Sequence, residues 1–392
     1  MTQKIIAKLC QQVSAQRLHD LTLELVQIPS PTGDAVAVTK RYVEHVGTLG
    51  LPVELDTTYA GSPATVTRWG PRGGAQLVLD GHLDTIHAPH PAPTTRDGVI
   101  YGRGAGDMKS GIAAMVETLR VLREGGLTLH GELVLVTHSL HEAPVGHMEA
   151  LIDLAHRDDL FTDAALVAEG GFDQAHIQGK GQAIFDVTIS RQGEPLHENV
   201  ARPRGIPNPM HLAAEIANAF VQEDRRLASA QHPLLGPETF FLGQIHGGDF
   251  YNRVPTRAYV NGIHRYWPDK EWDDVRARIH QIVSFVSRPA GLTVEVEIGG
   301  NGLGYAIDPD SRLVSALQWG YGHATGRELP LVGGNSVSDV NVIAREAGIP
   351  VLGHGTGSTT AHADLESVRV ADIVRTTQVF IATVVRYLGV TG

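Results

Sequence analysis

The sequence predicts an α/β fold with a mainly parallel central sheet, interrupted by a smaller α+β domain. Short apolar runs alternate with helical periodicity before about residue 178 and again after about 299, which is typical of parallel strands joined by helices. Between residues 179 and 298 the strands alternate apolar and polar residues in β-α-β-β-α-β order, as in a ferredoxin-like unit. We therefore expect one domain from 1–178 and 299–392, and a second from 179–298.

The elements of the first domain follow from apolar spacing. Helices are expected at residues 16–27, 35–49 and 108–122, and later at 310–325 and at the C-terminus. The runs QLVLD (76–80), ELVLVT (132–137), ALVAE (165–169) and GIPVLGHG (348–355) predict buried strands, the last running into a loop. In the second domain, strands are expected at 181–192, 239–247, 257–267 and 292–298, with helices at 209–228 and 270–287.

Composition excludes several classes of protein. The 392 residues are 42% hydrophobic and 19% charged, as in an ordinary globular protein. A net charge of −11 argues against binding a nucleic-acid backbone. The only cysteine, Cys10, excludes an intrachain disulfide and is typical of a reducing compartment. With no secretory signal and no apolar stretch long enough to span a membrane, the sequence predicts a cytoplasmic protein.

Acidic and imidazole side chains follow the predicted strands of the first domain. Because the carboxyl ends of parallel strands meet at one edge of a sheet, we expect a common site for His82, Asp107, Glu142, Glu169 and His362. Two imidazoles with three carboxylates suit Zn²⁺, Mn²⁺ or Co²⁺. Taken alone, Asp107 reads better as a helix N-cap, so the prediction depends on five residues at matching positions. Asp84 is placed to accept the second imidazole proton of His82.

Other motifs are incomplete. Gly102–Gly106 lacks the spacing and the preceding first strand of a dinucleotide fingerprint, and Lys109-Ser110 lacks the preceding glycine of a phosphate loop. No G-x-S-x-G elbow is present. A dinucleotide-dependent oxidoreductase and a serine hydrolase are therefore not supported.

The motifs GHLDT (81–85), GRGAGDMKSG (102–111), GG (333–334) and GHGTGSTTAHADLESV (353–368) together resemble the M20 family of metallopeptidases. That family includes acetylornithine deacetylases, succinyl-diaminopimelate desuccinylases, aminoacylases and carboxypeptidase G-type enzymes. The resemblance covers nearly the whole chain and implies a zinc-peptidase-like catalytic domain with an inserted lid and dimerisation domain. It implies two divalent metal ions, zinc first with manganese or cobalt as alternatives, and leaves single-site occupancy open.

The resemblance also implies roles for individual residues. His82 and Glu169 would hold one metal, Glu142 and His362 the other, and Asp107 would bridge them, with Asp84 orienting His82. In the lid, Asn252 and Arg265 would contact the substrate carboxylate or its neighbourhood, and His197 would reach the active site of a dimer partner. The sequence around His197 departs from the usual Ala-His-Ser form. Gly357 and Ser358 belong to a glycine-rich loop that borders the substrate pocket.

One catalytic position departs from the family. The family's general base is a Glu directly before the ligand corresponding to Glu142, and an ungapped count puts His141 there. His141 either replaces that base or is a neighbouring residue without a catalytic role.

The departure at His141 leaves two functions open. The first is an active metallohydrolase that uses metal-activated water to cleave an amide or other C–N bond of a small carboxylate-bearing substrate, such as an N-acyl amino acid or dipeptide. The second is a catalytically altered or inactive metal- and ligand-binding homologue.

Overall fold

A computed structural model describes residues 2–300 and 303–391. Its α-helices are α1 (Thr2–Gln12), α2 (Ala15–Gln27), α3 (Val36–Gly47), α4 (Ser110–Glu124), α5 (Glu149–Ala155), α6 (Glu198–Ala201), α7 (Pro209–Leu227), α8 (Trp272–Ser284), α9 (Arg312–Thr325), α10 (Asp339–Val342) and α11 (Val370–Leu388).

Its strands are β1 (Val53–Asp56), β2 (Ala64–Trp69), β3 (Gln76–His82), β4 (Thr94–Arg96), β5 (Val99–Tyr101), β6 (Thr128–Leu129), β7 (Glu132–His138), β8 (Ala164–Val167), β9 (Ala175–Gly179), β10 (Gly181–Arg191), β11 (Leu196–His197), β12 (Thr239–Gly247), β13 (Arg253–Val254), β14 (Arg257–Tyr266), β15 (Leu292–Gly299), β16 (Tyr305–Ala306), β17 (Leu331–Gly334), β18 (Val351–Gly353), β19 (Ser367–Arg369) and β20 (Val390–Thr391).

The chain divides into two compact units. The first contains residues 1–177, 307–332 and 338–392, and the second contains 178–306 and 333–337. The chain leaves the first unit at Ile177 and re-enters it at Ile307, and the Ile307 amide donates to the Ile177 carbonyl at 2.7 Å. Within the second unit, Gln178 and Gly179 pair with Ala306 and Tyr305, so the two ends of the insert lie side by side.

The central sheet of the first unit has the strand order β1-β2-β7-β3-β8-β18. β7, β3, β8 and β18 run parallel, whereas β2 and β1 continue the sheet antiparallel. Every residue of β3 and β7 is buried, as expected for apolar strands covered by helices on both faces. The mainly parallel sheet predicted from the sequence is confirmed, with an antiparallel edge that the sequence analysis did not include.

The second unit has the strand order β12-β14-β10-β15, and all neighbouring strands are antiparallel. With α7 after β10 and α8 after β14, this is the ferredoxin-like order predicted from the sequence. Alternate residues of β10 are buried and pack with α7 and α8 in a core that contains the stacked rings of Phe185 and Phe220. No helix among residues 2–300 and 303–391 is long and apolar enough to cross a membrane.

Candidate metal centre

The parallel strands of the first unit end at one edge of the sheet, and polar side chains collect there. His82 is the last residue of β3, and Glu169 follows β8 by two residues. After β7, Leu140 adopts a left-handed backbone conformation (φ 65°) and turns the chain toward His141 and Glu142. A further loop, with His362 also at positive φ (63°), supplies the last predicted ligand. Such strained positions concentrate at functional sites.

The five predicted ligands form a connected set of close contacts. Asp107 lies centrally, with Oδ1 3.2 Å from His82 Nε2 and Oδ2 3.2 Å from His362 Nε2. His362 Nε2 is also 3.0 Å from Glu142 Oε1. Ligand atoms of His82, Asp107 and Glu142 all lie within 4.8 Å of one another, and so do those of His82, Glu169 and His141. His82 belongs to both groups, which joins them into one site.

The donor atoms suit a cation rather than a hydrogen-bonded network. His82 Nε2, Asp107 Oδ1 and Glu169 Oε2 are buried without a hydrogen-bond partner among the described residues. Ligands of tetrahedral zinc at about 2.0–2.2 Å lie about 3.3–3.6 Å apart, close to the 3.2 Å separations here. Hydrogen bonds from the His362 ring to the Asp107 and Glu142 carboxylates raise the pKa of His362 to about 10, which means that the site favours positive charge. The residues present therefore fit a divalent metal.

The turn that carries Asp107 is anchored by Glu366. The helical turn Ala105–Lys109 is irregular, with Asp107 at φ −133° and ψ 93°, so Asp107 is not the ordinary helix N-cap that the sequence also allowed. Glu366 is 1% exposed and accepts from the amides of Gly104, Gly106 and Asp107 at 3.1, 2.8 and 2.9 Å. Arg103 Nη1 donates to the same carboxylate at 2.9 Å. Glu366 was not predicted from the sequence, although it lies in the motif at residues 353–368.

Asp84 orients the site in two ways. His82 Nδ1 lies 3.0 Å from the backbone oxygen of Asp84 and 3.6 Å from its carboxylate, so the main chain accepts the second imidazole proton that was expected to go to the side chain. The carboxylate instead accepts from the amides of His141 and Glu142 at 3.0 and 3.1 Å. Burial alone raises the pKa of Asp84, but the His82 ring outweighs it and lowers the pKa to about 2. Asp84 therefore carries negative charge and holds the loop after β7.

His141 lies beside the ligands and is held by Asp339. Its ring stacks on that of His82 at 3.9 Å with an interplanar angle of 3°. Its Nδ1 lies 2.8 Å from Asp339 Oδ1. Burial and the His82 ring lower the pKa of His141, but Asp339 and Glu169 together outweigh them and raise it above the ordinary value. Donation from Nδ1 to Asp339 leaves the Nε2 lone pair available to accept a proton or to bind a metal.

Burial and the charge of Asp107 raise the pKa of Glu169 to about 7. A carboxyl group in that range accepts a proton readily near neutral pH, unless a cation lies beside it and holds it ionised. Ligand atoms of Glu169, His82 and His141 lie within 4.8 Å of one another. This position suits the role of metal ligand that the sequence predicts for Glu169.

A further cluster, which the sequence analysis did not predict, lies behind His141. Asp80, His138 and Asp339 are each 0% exposed, and their ligand atoms lie within 4.8 Å of one another. Asp80 ends the apolar run of β3 and His138 ends β7. Asp80 and His138 could have been found from the sequence, because each is a titratable residue at the end of a predicted buried strand. Asp339 gave no comparable signal, because it begins a short helix far along the chain.

Two predicted substrate residues of the second unit, His197 and Arg265, lie on its strands, and Asn252 directly precedes β13. β11 pairs with β13, which brings the Asn252 amide within 3.0 Å of His197 Nε2. His197 Nδ1 accepts from the Asn199 backbone amide at 3.2 Å. Arg265 is half-buried, and its Nη1 has no hydrogen-bond partner within the described ranges.

The glycine-rich loop after β18 is held by its own contacts. Gly357 has a φ of 69°, and a Cβ there would come within 3.0 Å of Phe172, so the position suits glycine. The Ser358 hydroxyl donates to the Ser367 carbonyl at 3.0 Å and accepts from the Thr360 amide at 3.2 Å. Ser358 thus fixes the loop. Its role at the substrate stays a prediction.

Comparison with known proteins agrees with this site. The model of peptidase family M20/M25/M40 matches residues 78–386. A succinyl-diaminopimelate desuccinylase of Acinetobacter baumannii (strain ACICU) is 27% identical over 378 residues, covering 92% of this chain and 95% of that protein. One from Nitrosomonas eutropha is 27% identical over 324 residues, covering 81% and 82%.

Among solved structures, an M20 family metallo-carboxypeptidase from Sulfolobus solfataricus has a TM-score of 0.78 at 18% identity, covering 95% of this chain and 99% of that one. The aminopeptidase PepT of Bacillus cereus has a TM-score of 0.75 at 22% identity, covering 96% and 99%. These likenesses support the fold. The family match spans well over half of the chain and contains all five converging ligands. The chain therefore belongs to peptidase family M20/M25/M40 and is a metal-dependent hydrolase of amide bonds in small substrates.

Proposed function

We propose that the protein removes an acyl group, or an amino acid, from a small substrate that carries a carboxylate, using two divalent metal ions. The observation that carries the proposal is the convergence of His82, Asp107, Glu142, Glu169 and His362, with Asp107 in contact with two imidazoles. The desuccinylases that match over most of the chain favour an N-acyl amino acid over a long peptide. Zinc is the first choice of metal for a set of two imidazoles and three carboxylates, before manganese or cobalt.

The ligand roles follow the contacts. We assign His82 and Glu169 to one ion, Glu142 and His362 to the other, and Asp107 to both. When bound, the ions polarise the scissile carbonyl and lower the pKa of water. Asp84 keeps the loop after β7 in place through its bonds to the His141 and Glu142 amides.

We propose that His141 replaces the family's base. Asp339 accepts from Nδ1 and thereby presents the other nitrogen as a proton acceptor, as in other pairs of a carboxylate with a catalytic histidine. The stacked His82 ring fixes the plane of His141. An imidazole supplies the same proton-accepting function as a glutamate, but becomes a cation afterwards.

We assign recognition of the substrate carboxylate to Arg265. Arg265 makes no ion pair with the residues that the structure describes, and burial lowers its pKa. A desolvated guanidinium without an anion is the kind of group that a ligand carboxylate satisfies. His197 and Asn252 form a second polar pair on the same unit, and we propose that they contact the carbonyl region of the substrate.

We propose a homodimer formed through the second unit. β12 and β15 are the outer strands of its sheet. β15 exposes Thr293, Glu295 and Glu297, which protect a strand edge from pairing, whereas β12 exposes Phe241 (65%) and Ile245 (48%). A long edge strand with exposed apolar side chains is usually paired. In this dimer, His197 of one chain serves the site of the other.

Two experiments test these proposals. Protein reconstituted with zinc, manganese or cobalt is assayed on a panel of N-acyl amino acids and dipeptides, with esters of the same compounds as controls lacking the free carboxylate. Turnover of the free acids supports the hydrolase, and bound metal without turnover of any compound favours the binding-protein alternative.

For the dimer, sedimentation measures the assembly, and a mixture of inactive H197A and inactive D107A should regain activity in hybrid sites. Full activity in a monomer contradicts the shared site.

We propose that the protein is cytoplasmic. Cys10 is a free thiol, and free thiols are typical of reducing compartments.

A further inference from the structure

The cluster of Asp80, His138 and Asp339 has the same local geometry as the catalytic ligands. His138 Nε2 lies 3.2 Å from Asp339 Oδ2 and 3.6 Å from Asp80 Oδ2. In the catalytic site His82 Nε2 lies 3.2 Å from Asp107 Oδ1. Both sets fall close to the spacing of about 3.3–3.6 Å between ligands of one tetrahedral zinc ion.

These contacts are not aligned as hydrogen bonds. His138 Nε2, Asp339 Oδ2 and both carboxylate oxygens of Asp80 are buried without a hydrogen-bond partner among the described residues. His82 Nε2 and Asp107 Oδ1 share this property. Buried polar atoms are rarely left unsatisfied, because each unsatisfied atom destabilises the fold. Unpartnered atoms from three residues that lie within 4.8 Å of one another indicate an occupant that they can all bind.

The donors are enough for a complete coordination shell. His138 supplies one nitrogen, Asp339 one oxygen, and Asp80 has both oxygens available for bidentate binding. One imidazole with two carboxylates is a donor set that Zn²⁺ accepts in four-coordinate sites. The other Asp339 oxygen, Oδ1, is bonded to His141, which leaves Oδ2 for the cluster.

The charge of the region also favours a further cation. Six carboxylates lie in or beside the two clusters: Asp80, Asp84, Asp107, Glu142, Glu169 and Asp339. Two divalent ions balance four of these charges, and a third balances the remaining two. Burying uncompensated charge is costly, and Asp80 and Asp339 are both 0% exposed.

We propose that Asp80, His138 and Asp339 hold a third divalent cation, with zinc as the best fit to the donors. This ion lies behind the catalytic pair and reaches it through Asp339, which bonds to His141. It fixes Asp339 and thereby the proton position on His141, so its role is structural and positioning. Because all three ligands are fully buried, its exchange with solvent is slow compared with that of the catalytic ions near the half-exposed His362.

Zinc itself is the probe in the test. Protein produced with excess Zn²⁺ is analysed for bound metal before and after brief dialysis against a chelator. We expect three zinc ions per chain at first and one after dialysis. D80N, which keeps the shape of the side chain, should hold two ions and lose both. D107A should keep only the slowly exchanging ion, which separates failure of this site from failure of the catalytic pair.

A matched control is His354→Gln. His354 is also 0% exposed, with both ring nitrogens unpartnered within the described ranges, but it is surrounded by Phe172, Tyr321 and Phe380. Its variant should keep three ions. If D80N does not fold, anomalous scattering at the zinc edge from wild-type crystals decides the matter. A third peak about 2.0–2.2 Å from the three side chains supports the site. If two peaks appear at the catalytic ligands and none appears at the cluster of Asp80, His138 and Asp339, the proposal is wrong. In that case a protonated His138 lies between two carboxylates without a metal.

Discussion

Replacing Glu366 by glutamine should loosen the turn that carries Asp107. Oε1 accepts from the Gly106 and Asp107 amides, and Oε2 accepts from the Gly104 amide and from Arg103. Glutamine keeps one oxygen, so two of these four donors lose their acceptor. Hydrogen bonds to a charged group contribute about 1.5–3 kcal/mol each, which gives an upper range of about 3–6 kcal/mol for the loss in unfolding free energy. Relaxation of the turn lowers this figure, and about 3 kcal/mol is expected.

Metal affinity should fall with the stability of this turn. Partners that orient a ligand typically change metal affinity or activity about 10–100-fold, and Glu366 fixes the backbone on which Asp107 stands. Urea unfolding measures the first effect, and competition with a chromogenic chelator measures the second. Both should be determined on the same preparation, so that loss of metal is not mistaken for loss of fold.

Glu117→Gln is the matched control for this experiment. Glu117 is 3% exposed and accepts from the Ser14 amide at 2.9 Å and from Arg17 Nη2 at 2.6 Å, and neither donor belongs to the turn. Its variant loses a comparable buried carboxylate and should keep its metal affinity. If the two variants are destabilised alike and both bind metal as the wild type does, Glu366 does not position Asp107 and the reasoning is wrong.

Three further predictions concern the base, the substrate and acid stability. At equal metal content, H141A should lower kcat by about 10²–10⁴-fold, and H141E should retain part of the rate. The measurement is a pH–rate profile of each variant. A loss of only a few-fold in H141A excludes His141 as the base. R265A should lower kcat/KM for free carboxylate substrates by about 10–100-fold through KM, with little change for their esters, whereas R257A at the exposed start of the same strand should change neither. Arg226 and Arg278 outweigh burial and lower the pKa of Glu223 from 4.5 to about 2, so this pairing stabilises the fold above pH 4.5 and is lost as the pH falls towards 2. Urea unfolding of E223Q should show lower stability than wild type at pH 7 and a difference that shrinks between about pH 4.5 and 2; a constant difference over this range would contradict the assignment.

The fold was predictable where side-chain periodicity is strong. α7 and β12 lie within one residue of the predicted bounds, because α7 presents a regular apolar face and β12 ends in a glycine turn. The antiparallel strands β1 and β2 were not predicted. β1 is short and half-exposed, so its residues carry no clear alternation.

The convergence of the five predicted ligands could be foreseen because each follows a buried strand or begins a helix in a motif of the family. Asp339 and Glu366 could not be foreseen, since both act through contacts with segments about 200 residues or more away in the chain. Asp84 shows a different limit. The sequence placed it correctly beside His82, but only the structure distinguishes its carbonyl from its carboxylate as the acceptor.

The way in which the insert begins and ends has a consequence for the order of folding. Ile177 and Ile307 are hydrogen-bonded neighbours, although residues 178–306 separate them. Closing a flexible loop of about 130 residues costs about 4 kcal/mol in chain entropy. Once the second unit has folded, its paired ends at Gly179 and Tyr305 shorten that loop to a few residues. The insert then acts on the first unit as a crosslink does, so a mutation in the core around Phe220 should delay assembly of the metal centre.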